Sequence, residues 1–431
     1  MLQIRPHQQL VLDDQRKRFG IFFGTGAFKT STALLKAKGK TLVVVPKMLH
    51  VSKRWEQEVE KWGIEVDMTV VSMEIFKDIK KVLQLPKYDT LIIDEAHNFF
   101  GVQPEMHQVK KKYVPKMSHM FKNMYYYIQE NNIEYVYTLT ATPVPRKKPM
   151  RLWAANQLLG GNWDYEQFRD VFYKKVPTGK RTKWGSMQFK YEPNLTPQLI
   201  ERRIRALQST GHVFNTIDLE GMSEPIQKTE YIELSVEQKS VIKKLKDTET
   251  SLSVMKMKRR QIENGIQYID SINEAGNLVR TCEYYTENKT ELILRYYEEF
   301  KKVIVFCNYT SQIGIYKNKF EKEGIQVFTI TGSSKDKDTV IESANNCDDC
   351  IIIIQCGVSA GYQLQTFRCM IFASKSYKEL DYIQAIGRNN RGDNPQANTI
   401  IHLVVSGGPD EACHNSIMSG VDYQEQQMIN V

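Results

Sequence analysis

The chain has 431 residues, 41% of them hydrophobic and 25% charged, with 24 Gly and 14 Pro. Those proportions exclude collagen-like, disordered and disulfide-scaffold classes. A balance of 59 Lys and Arg against 50 Asp and Glu leaves a formal charge of +9, which permits a polyanionic partner without demanding one. At roughly 150 residues per domain, the length predicts two or three domains, each able to bury a core. Apolar runs such as residues 90–93 and 351–354 are strand-length, short of the roughly 18 residues of a membrane span. The first nine residues lack the apolar stretch of a signal peptide. Seven scattered Cys, an odd count, fit a reducing compartment. A cytoplasmic protein with no membrane association is expected.

In chain order, short β-rich runs at residues 19–23, 41–45, 68–71, 90–93 and 135–139 alternate with amphipathic stretches. That alternation predicts a parallel sheet covered by helices. Residues 42–45 and 91–93 are apolar throughout and are expected to be buried on both faces. Residues 146–230 break the rhythm, and residues 235–300 read as mostly helical, with Ser235 as an N-cap. The βα rhythm returns at 303–306, 327–330, 351–355, 370–373 and 399–404. The fold expected is α/β, two parallel-sheet domains around a helical middle, divided at 1–150, 151–230 and 231–431.

Gly24-Thr25-Gly26-Ala27-Phe28-Lys29-Thr30-Ser31 follows a predicted strand and opens a predicted helix. This is where a phosphate-cradling loop belongs. Backbone N–H groups face the anion, Lys29 reaches the phosphates, and the Thr30 hydroxyl faces Mg²⁺. Phe28 stands where glycine is usual, a position that calls for φ > 0. Asp94-Glu95-Ala96-His97 ends an apolar strand, the edge at which open α/β sheets bind ligands. Asp94 suits Mg²⁺ there, and Glu95 suits orienting and deprotonating a water. Arg388 and Arg391, three apart, share one helical face and suit γ-phosphate charge. Each motif has a plainer reading: a Gly-rich turn, a solvated acidic turn, a solvated helix face.

In order, these residues resemble a superfamily 2 helicase, specifically a Swi/Snf-type DNA translocase of the minimal kind that bacteriophages encode. Arg5-Pro6-His7-Gln8-Gln9 resembles the family's adenine-reading Gln motif. Residues 43–62 resemble motif Ia, Asp94-Glu95-Ala96-His97 motif II, and Thr138–Pro143 motif III. Residues 301–309 resemble motif IV, 357–366 motif V, and 384–391 motif VI. The resemblance implies two RecA-like lobes joined by a helical bridge, acting as a monomeric ATPase with ATP and Mg²⁺. It implies catalytic roles for Lys29, Asp94, Glu95, Gln384, Arg388 and Arg391. Nucleotide contacts are implied for Arg5, Gln8, Gly24 through Ser31, His97 and Gly361, and Mg²⁺ contacts for Thr30 and Asp94. Pro46, Lys47, Thr140, Thr142, Asn308 and Tyr309 would touch nucleic acid. The sequence departs from the pattern at Phe28, at Tyr362 and Gln363 in motif V, and at Asn390 in motif VI.

Residues 171–191 mix basic and aromatic side chains with no acid; Lys180, Arg181, Lys183 and Trp184 sit at their centre. Basic groups suit phosphates and rings suit unpaired bases, although an exposed loop anchored by aromatics explains the pattern too. The partner expected is double-stranded or forked DNA, with RNA as the alternative. A strand-separating helicase and a non-catalytic clamp with a decayed loop remain rival readings.

Overall fold

The computed structural model describes residues 3–109, 112–143, 148–181, 187–219, 223–249, 251–272, 278–286, 288–358, 364–387, 389 and 398–420. It divides into two compact units, residues 1–218 and 219–431.

The first unit holds strands β1 (Arg18–Phe23), β2 (Thr41–Val45), β3 (Met68–Ser72), β4 (Thr90–Ile93), β5 (Val102–Val109), β6 (Lys112–Met117), β7 (Tyr135–Leu139), β8 (Tyr173–Arg181), β9 (Met187–Pro193) and β10 (Gly211–Phe214). Six of them form a sheet in the order β10-β1-β7-β4-β2-β3, every neighbouring pair parallel. Val, Ile and Leu fill β2 and β4, whose residues are all buried, as expected for strands covered on both faces. The five strands expected from the sequence are present within a residue of their boundaries. β10 was not expected. It is four residues long and joins the edge beside β1.

Asp14 and Arg16 tie this edge down. The Asp14 carboxylate pairs with Arg16 and accepts from His212 Nε2 at 2.7 Å, while Arg16 Nη1 donates to the Ser209 carbonyl. Burial works to raise the Asp14 pKa, but the hydrogen bonds from Arg16 and His212 outweigh it and hold it near about 2. Because the folded pKa is depressed, the stabilisation is present above the unfolded value and lost as pH falls from about 4 toward 2. Asp14→Asn should therefore flatten that part of the acid-denaturation curve and leave the neutral-to-alkaline side parallel to wild type. An unchanged acid limb, followed by circular dichroism, would show that the pair contributes nothing.

The second unit holds β11 (Ile226–Ile232), β12 (Ile266–Ile272), β13 (Leu278–Tyr284), β14 (Lys302–Cys307), β15 (Val327–Ile330), β16 (Cys350–Gln355), β17 (Cys369–Phe372) and β18 (Thr399–Val405). Its six-stranded sheet runs β11-β18-β17-β14-β16-β15, again parallel throughout. The fold class is α/β with two parallel sheets, as the sequence implied.

Three antiparallel hairpins, β5–β6, β8–β9 and β12–β13, stand apart from the sheets. The last corrects the helical reading of residues 235–300. Helices Val236–Thr248 and Leu252–Glu263 are present, but residues 266–284 pair as strands. A two-stranded ribbon buries little on either face, so its sequence lacks a clean period of two. Asn273-Glu274-Ala275-Gly276-Asn277 between two β-branched runs was the turn signal that could have revealed it.

Candidate functional site

β1, β7 and β4 lie side by side, and their carboxyl ends present three loops in a row. The loop after β1 opens the helix Lys29–Lys36. Gly26 and Phe28 both have positive φ, 79° and 61°. The sequence argument that this position calls for φ > 0 holds, and a phenylalanine occupies it at a backbone cost of about 1–2 kcal/mol. The Phe28 ring carries the Arg5 guanidinium 4.5 Å from its centroid and meets Trp62 edge-on. The Phe28 carbonyl accepts from the Ser31 and Thr32 hydroxyls, at 3.1 and 2.7 Å, closing the first helical turn.

Lys29 Nζ donates to the carbonyls of Phe23 and Gly24 at 2.9 and 3.0 Å, so the ammonium lies back across its own loop. Thr30 is half-buried beside it. On the other side, Phe214 O accepts from Gly24 N at 2.7 Å, and Thr216 Oγ1 donates to Thr25 O at 2.7 Å. A Cβ on Gly24 would meet Thr216 Oγ1 at 2.2 Å and its backbone N at 2.7 Å. Only glycine lets the chain beyond β10 brace the loop this closely.

Gln8 is fully buried under the helix. Its Nε2 donates to Thr32 Oγ1 at 3.2 Å and its Oε1 accepts from Arg5 N. His7 stacks on Phe214 and lies 3.3 Å from the Ala27 carbonyl. The amide expected to read adenine thus braces the helix that follows the loop after β1.

Beyond β4, the buried Asp94 carboxylate accepts from Trp55 Nε1 at 3.3 Å and from the Glu95 backbone N–H at 2.8 Å. Burial, then the Glu95 charge, pushes its pKa well above the ordinary carboxylate range, while Lys29 pulls it down. A divalent cation would reverse that balance. Glu95 has φ of 46° and reaches His97 Nδ1 at 3.3 Å; the same nitrogen lies 3.0 Å from Thr140 Oγ1 in the loop after β7. Thr140 Oγ1 also accepts from Thr142 N at 3.1 Å. Glu95, His97 and Thr140 therefore form a polar chain joining two adjacent strand ends. Thr140 is buried inside this chain, and Thr142 is half-buried beside it.

Asp94 and the Thr30 hydroxyl are hard oxygen donors. That set fits Mg²⁺, which uses one or two carboxylates and takes its remaining ligands from phosphate and water. No group of three or more His, Cys, Asp or Glu arranged to hold a metal ion by itself exists among the described residues, and Mg²⁺ does not require one.

Pro46 and Lys47 sit at the end of β2, Lys47 exposed at the start of the helix Lys47–Val51. In the second unit, Asn308 N donates to Ser374 Oγ at 2.8 Å, and Tyr309 is buried. Gln384 lies on the helix Glu379–Ile386. The segment leading to it is pinned from three sides. Arg260 Nη2 donates to Lys375 O at 2.6 Å and stacks on Tyr377, Ser374 Oγ donates to Gln312 Oε1 at 2.6 Å, and Ser376 bonds Asp381. Gly361, Arg388, Arg391, Lys183 and Trp184 lie outside the described residues, and Lys180 is placed as a β8 residue. Sequence reasoning missed Thr216, and it took Trp55 only as part of a motif pattern. Neither residue type announces that it supports a loop or a carboxylate far along the chain.

Residues 288–393 match the helicase conserved C-terminal domain. The match spans β14 to β17 and the helix bearing Gln384. No curated protein matches the sequence. Among solved structures, the chain is similar to the Sulfolobus solfataricus SWI2/SNF2 ATPase core in complex with dsDNA, at 18% identity and a TM-score of 0.38, covering 97% of this chain and 91% of that one. It is also similar to the C-terminal part of the Fun30 ATPase domain, at 14% identity and a TM-score of 0.40, covering 48% and 94%. No helix of the described residues is long and apolar enough to cross a membrane.

Proposed function

We propose that the chain is an ATP-dependent DNA translocase, coupling hydrolysis to movement on double-stranded or branched DNA. The observation that carries this reading is the convergence of Lys29 after β1, Thr140 after β7, and Asp94, Glu95 and His97 after β4, at three neighbouring parallel strand ends. The helicase C-terminal match in the second unit supports it independently. In this reading Lys29 exchanges the Phe23 and Gly24 carbonyls for the phosphates of ATP. Asp94 and Thr30 would hold Mg²⁺, which would supply charge neutralisation at the phosphates. Glu95 orients and deprotonates the attacking water, with His97 and Thr140 fixing its carboxylate. Gln384, Arg388 and Arg391 act from motif VI, the two arginines on transition-state charge. The test is steady-state ATP hydrolysis alone and with duplex, single-stranded or forked DNA, or RNA. Strongest stimulation by duplex or forked DNA is expected. Stimulation by RNA alone would overturn the DNA assignment.

The β8–β9 hairpin supports a nucleic-acid partner. Lys174, Lys175 and Arg181 are exposed, and Lys175 lies 4.6 Å over the Phe189 ring, itself 47% exposed. An exposed ring with a cation on it suits stacking and phosphate contact together. Replacing Lys174, Lys175 and Arg181 by Ala should weaken duplex binding at every sequence and flatten its salt dependence by roughly 2 to 3 in log–log slope. Titrations at several salt concentrations check this. An unchanged slope would remove the hairpin from the interface.

A second reading, a nucleic-acid clamp without turnover, draws on Phe28, whose ring and Arg5 stack occupy space beside the loop. Binding of nucleic acid without any hydrolysis would favour it.

A further inference from the structure

Gln8, expected from the sequence resemblance to read adenine, is fully buried, as are Ser31 and Thr32 against it. The orientation of its amide is fixed by these neighbours. The Ser31 and Thr32 hydroxyl protons both go to the Phe28 carbonyl, at 3.1 and 2.7 Å, so toward Gln8 the two oxygens act as acceptors. Gln8 Nε2 donates to them at 3.5 and 3.2 Å, and Oε1 accepts from the Arg5 backbone N–H at 3.1 Å. Turning the amide over would set its oxygen against the two hydroxyl oxygens and N–H against N–H. Pairing with adenine N6 and N7 needs the same donor and the same acceptor. Both already face inward.

The polar chain from Gln8 ends on Phe28, the non-glycine residue at φ of 61° that opens the helix Lys29–Lys36. A left-handed residue with a side chain persists where its surroundings hold it there. Two hydroxyls oriented by one buried amide do so, immediately before Lys29. Outside this network, Arg5, Phe28 and Trp62 are half-buried beside the loop, with the guanidinium over the Phe28 ring and Trp62 edge-on to it. Trp62 Nε1 donates to Glu58 Oε1 at 2.9 Å, which leaves its ring as the surface it can offer. Ring and guanidinium faces stack on any base, because every base has a π-face. We propose that Gln8 is a positioning residue for the phosphate loop and not a base reader, so that the chain takes nucleoside triphosphates through their phosphates with little choice of base. This rests on the nucleotide-hydrolysing reading above and widens its substrate from ATP to a class. A bidentate amide–adenine contact would discriminate by about 5- to 150-fold.

The full chain is titrated with ribose-labelled fluorescent ATP and Mg²⁺, and the label is displaced by ATP, GTP, CTP, UTP and inorganic triphosphate. The four nucleotides should displace it at concentrations within about fivefold of one another, below the range of an amide reader. A larger preference for ATP, or for any single base, would overturn the proposal. Gln8→Ala should weaken all four nucleotides and inorganic triphosphate by the same factor. Weakening of ATP alone would make Gln8 a reader, and no weakening at all would remove the brace; either result overturns the assigned role. Glycine takes φ > 0 without support, so Gln8→Ala should cost much less in a Phe28→Gly background. An equal loss in both backgrounds would also overturn the bracing role. Melting curves serve as the folding control, and the wild-type base panel stands whatever the variants do. Failure of the labelled nucleotide to bind would overturn the motor reading and this inference with it, whereas a base preference overturns this inference alone.

Discussion

Glu95→Gln should reduce ATP turnover by about 10²–10⁴-fold while leaving nucleotide binding intact, the range for loss of a positioned general base. The substitution keeps size and backbone preference but removes the carboxylate that can take a proton. It also leaves the left-handed backbone at this position, φ of 46°, to a residue of the same branching. His97 and Thr140 hold this carboxylate from one side, so His97→Ala should give a smaller fall, through misorientation rather than loss of the base. Single-turnover hydrolysis with a fluorescent nucleotide separates the two effects: binding amplitude is retained in both, and the chemical rate drops most in Glu95→Gln. Turnover by Glu95→Gln at the wild-type rate would place the base elsewhere and overturn the assigned role.

Lys289→Met should destabilise the second unit by about 3–5 kcal/mol, the cost of leaving a buried ion without its partner. Lys289 Nζ is buried and bonds Asn264 Oδ1 at 2.7 Å, the Ala373 carbonyl at 2.6 Å and the Leu403 carbonyl at 3.2 Å, with Asp410 Oδ2 at 3.4 Å. Asp410 is equally buried. Burial alone would raise its pKa, but Lys289 and then Arg260 outweigh that and hold it near about 2. Removing Lys289 leaves Arg260, 3.6 Å away, as the remaining cation beside a buried carboxylate that keeps the hydrogen bonds from Asn264 Nδ2 and the Val405 N–H, while its own backbone N–H donates to Glu263. Asp410→Asn should cost a similar amount. The double variant Lys289→Met/Asp410→Leu should cost less than the sum, because each single variant already breaks the Lys289–Asp410 pair, although Arg260 then loses its carboxylate. For a unit of this size the single variants correspond to a melting shift of roughly 6–20 °C. Two units need not unfold together, so the loss should appear as weakened hydrogen-exchange protection confined to residues 219–420. Equal loss in the first unit would mean that the cluster is not a local support.

The buried ions also bear on how the second unit presents its motif. Ala373, whose carbonyl Lys289 holds, leads directly into the segment that Arg260 and Gln312 pin before the helix bearing Gln384. A polar network of this kind is costly when incomplete and rigid when satisfied, which suits a segment whose following residues must keep their place.

The sequence by itself determined the two parallel sheets, because ten of their strands are short runs rich in β-branched or aromatic residues, most of them buried, and such runs are written locally. It also placed Lys29, Asp94 and Glu95 at strand ends, since the glycine-rich loop after β1 and the carboxylate pair after β4 are contiguous residues. Even the strain at Phe28 was legible, because only glycine meets φ > 0 without cost. What tertiary structure alone decided are contacts between residues far apart in the chain. β10 joins β1 across nearly 190 residues, Thr216 braces Thr25, and Trp55 holds Asp94. Lys289 meets Asp410 by the same kind of closure. The physical reason is common to all four. Neighbouring residues carry no mark of a partner brought near by chain closure, and a short edge strand or a buried ion has no period by which to be read.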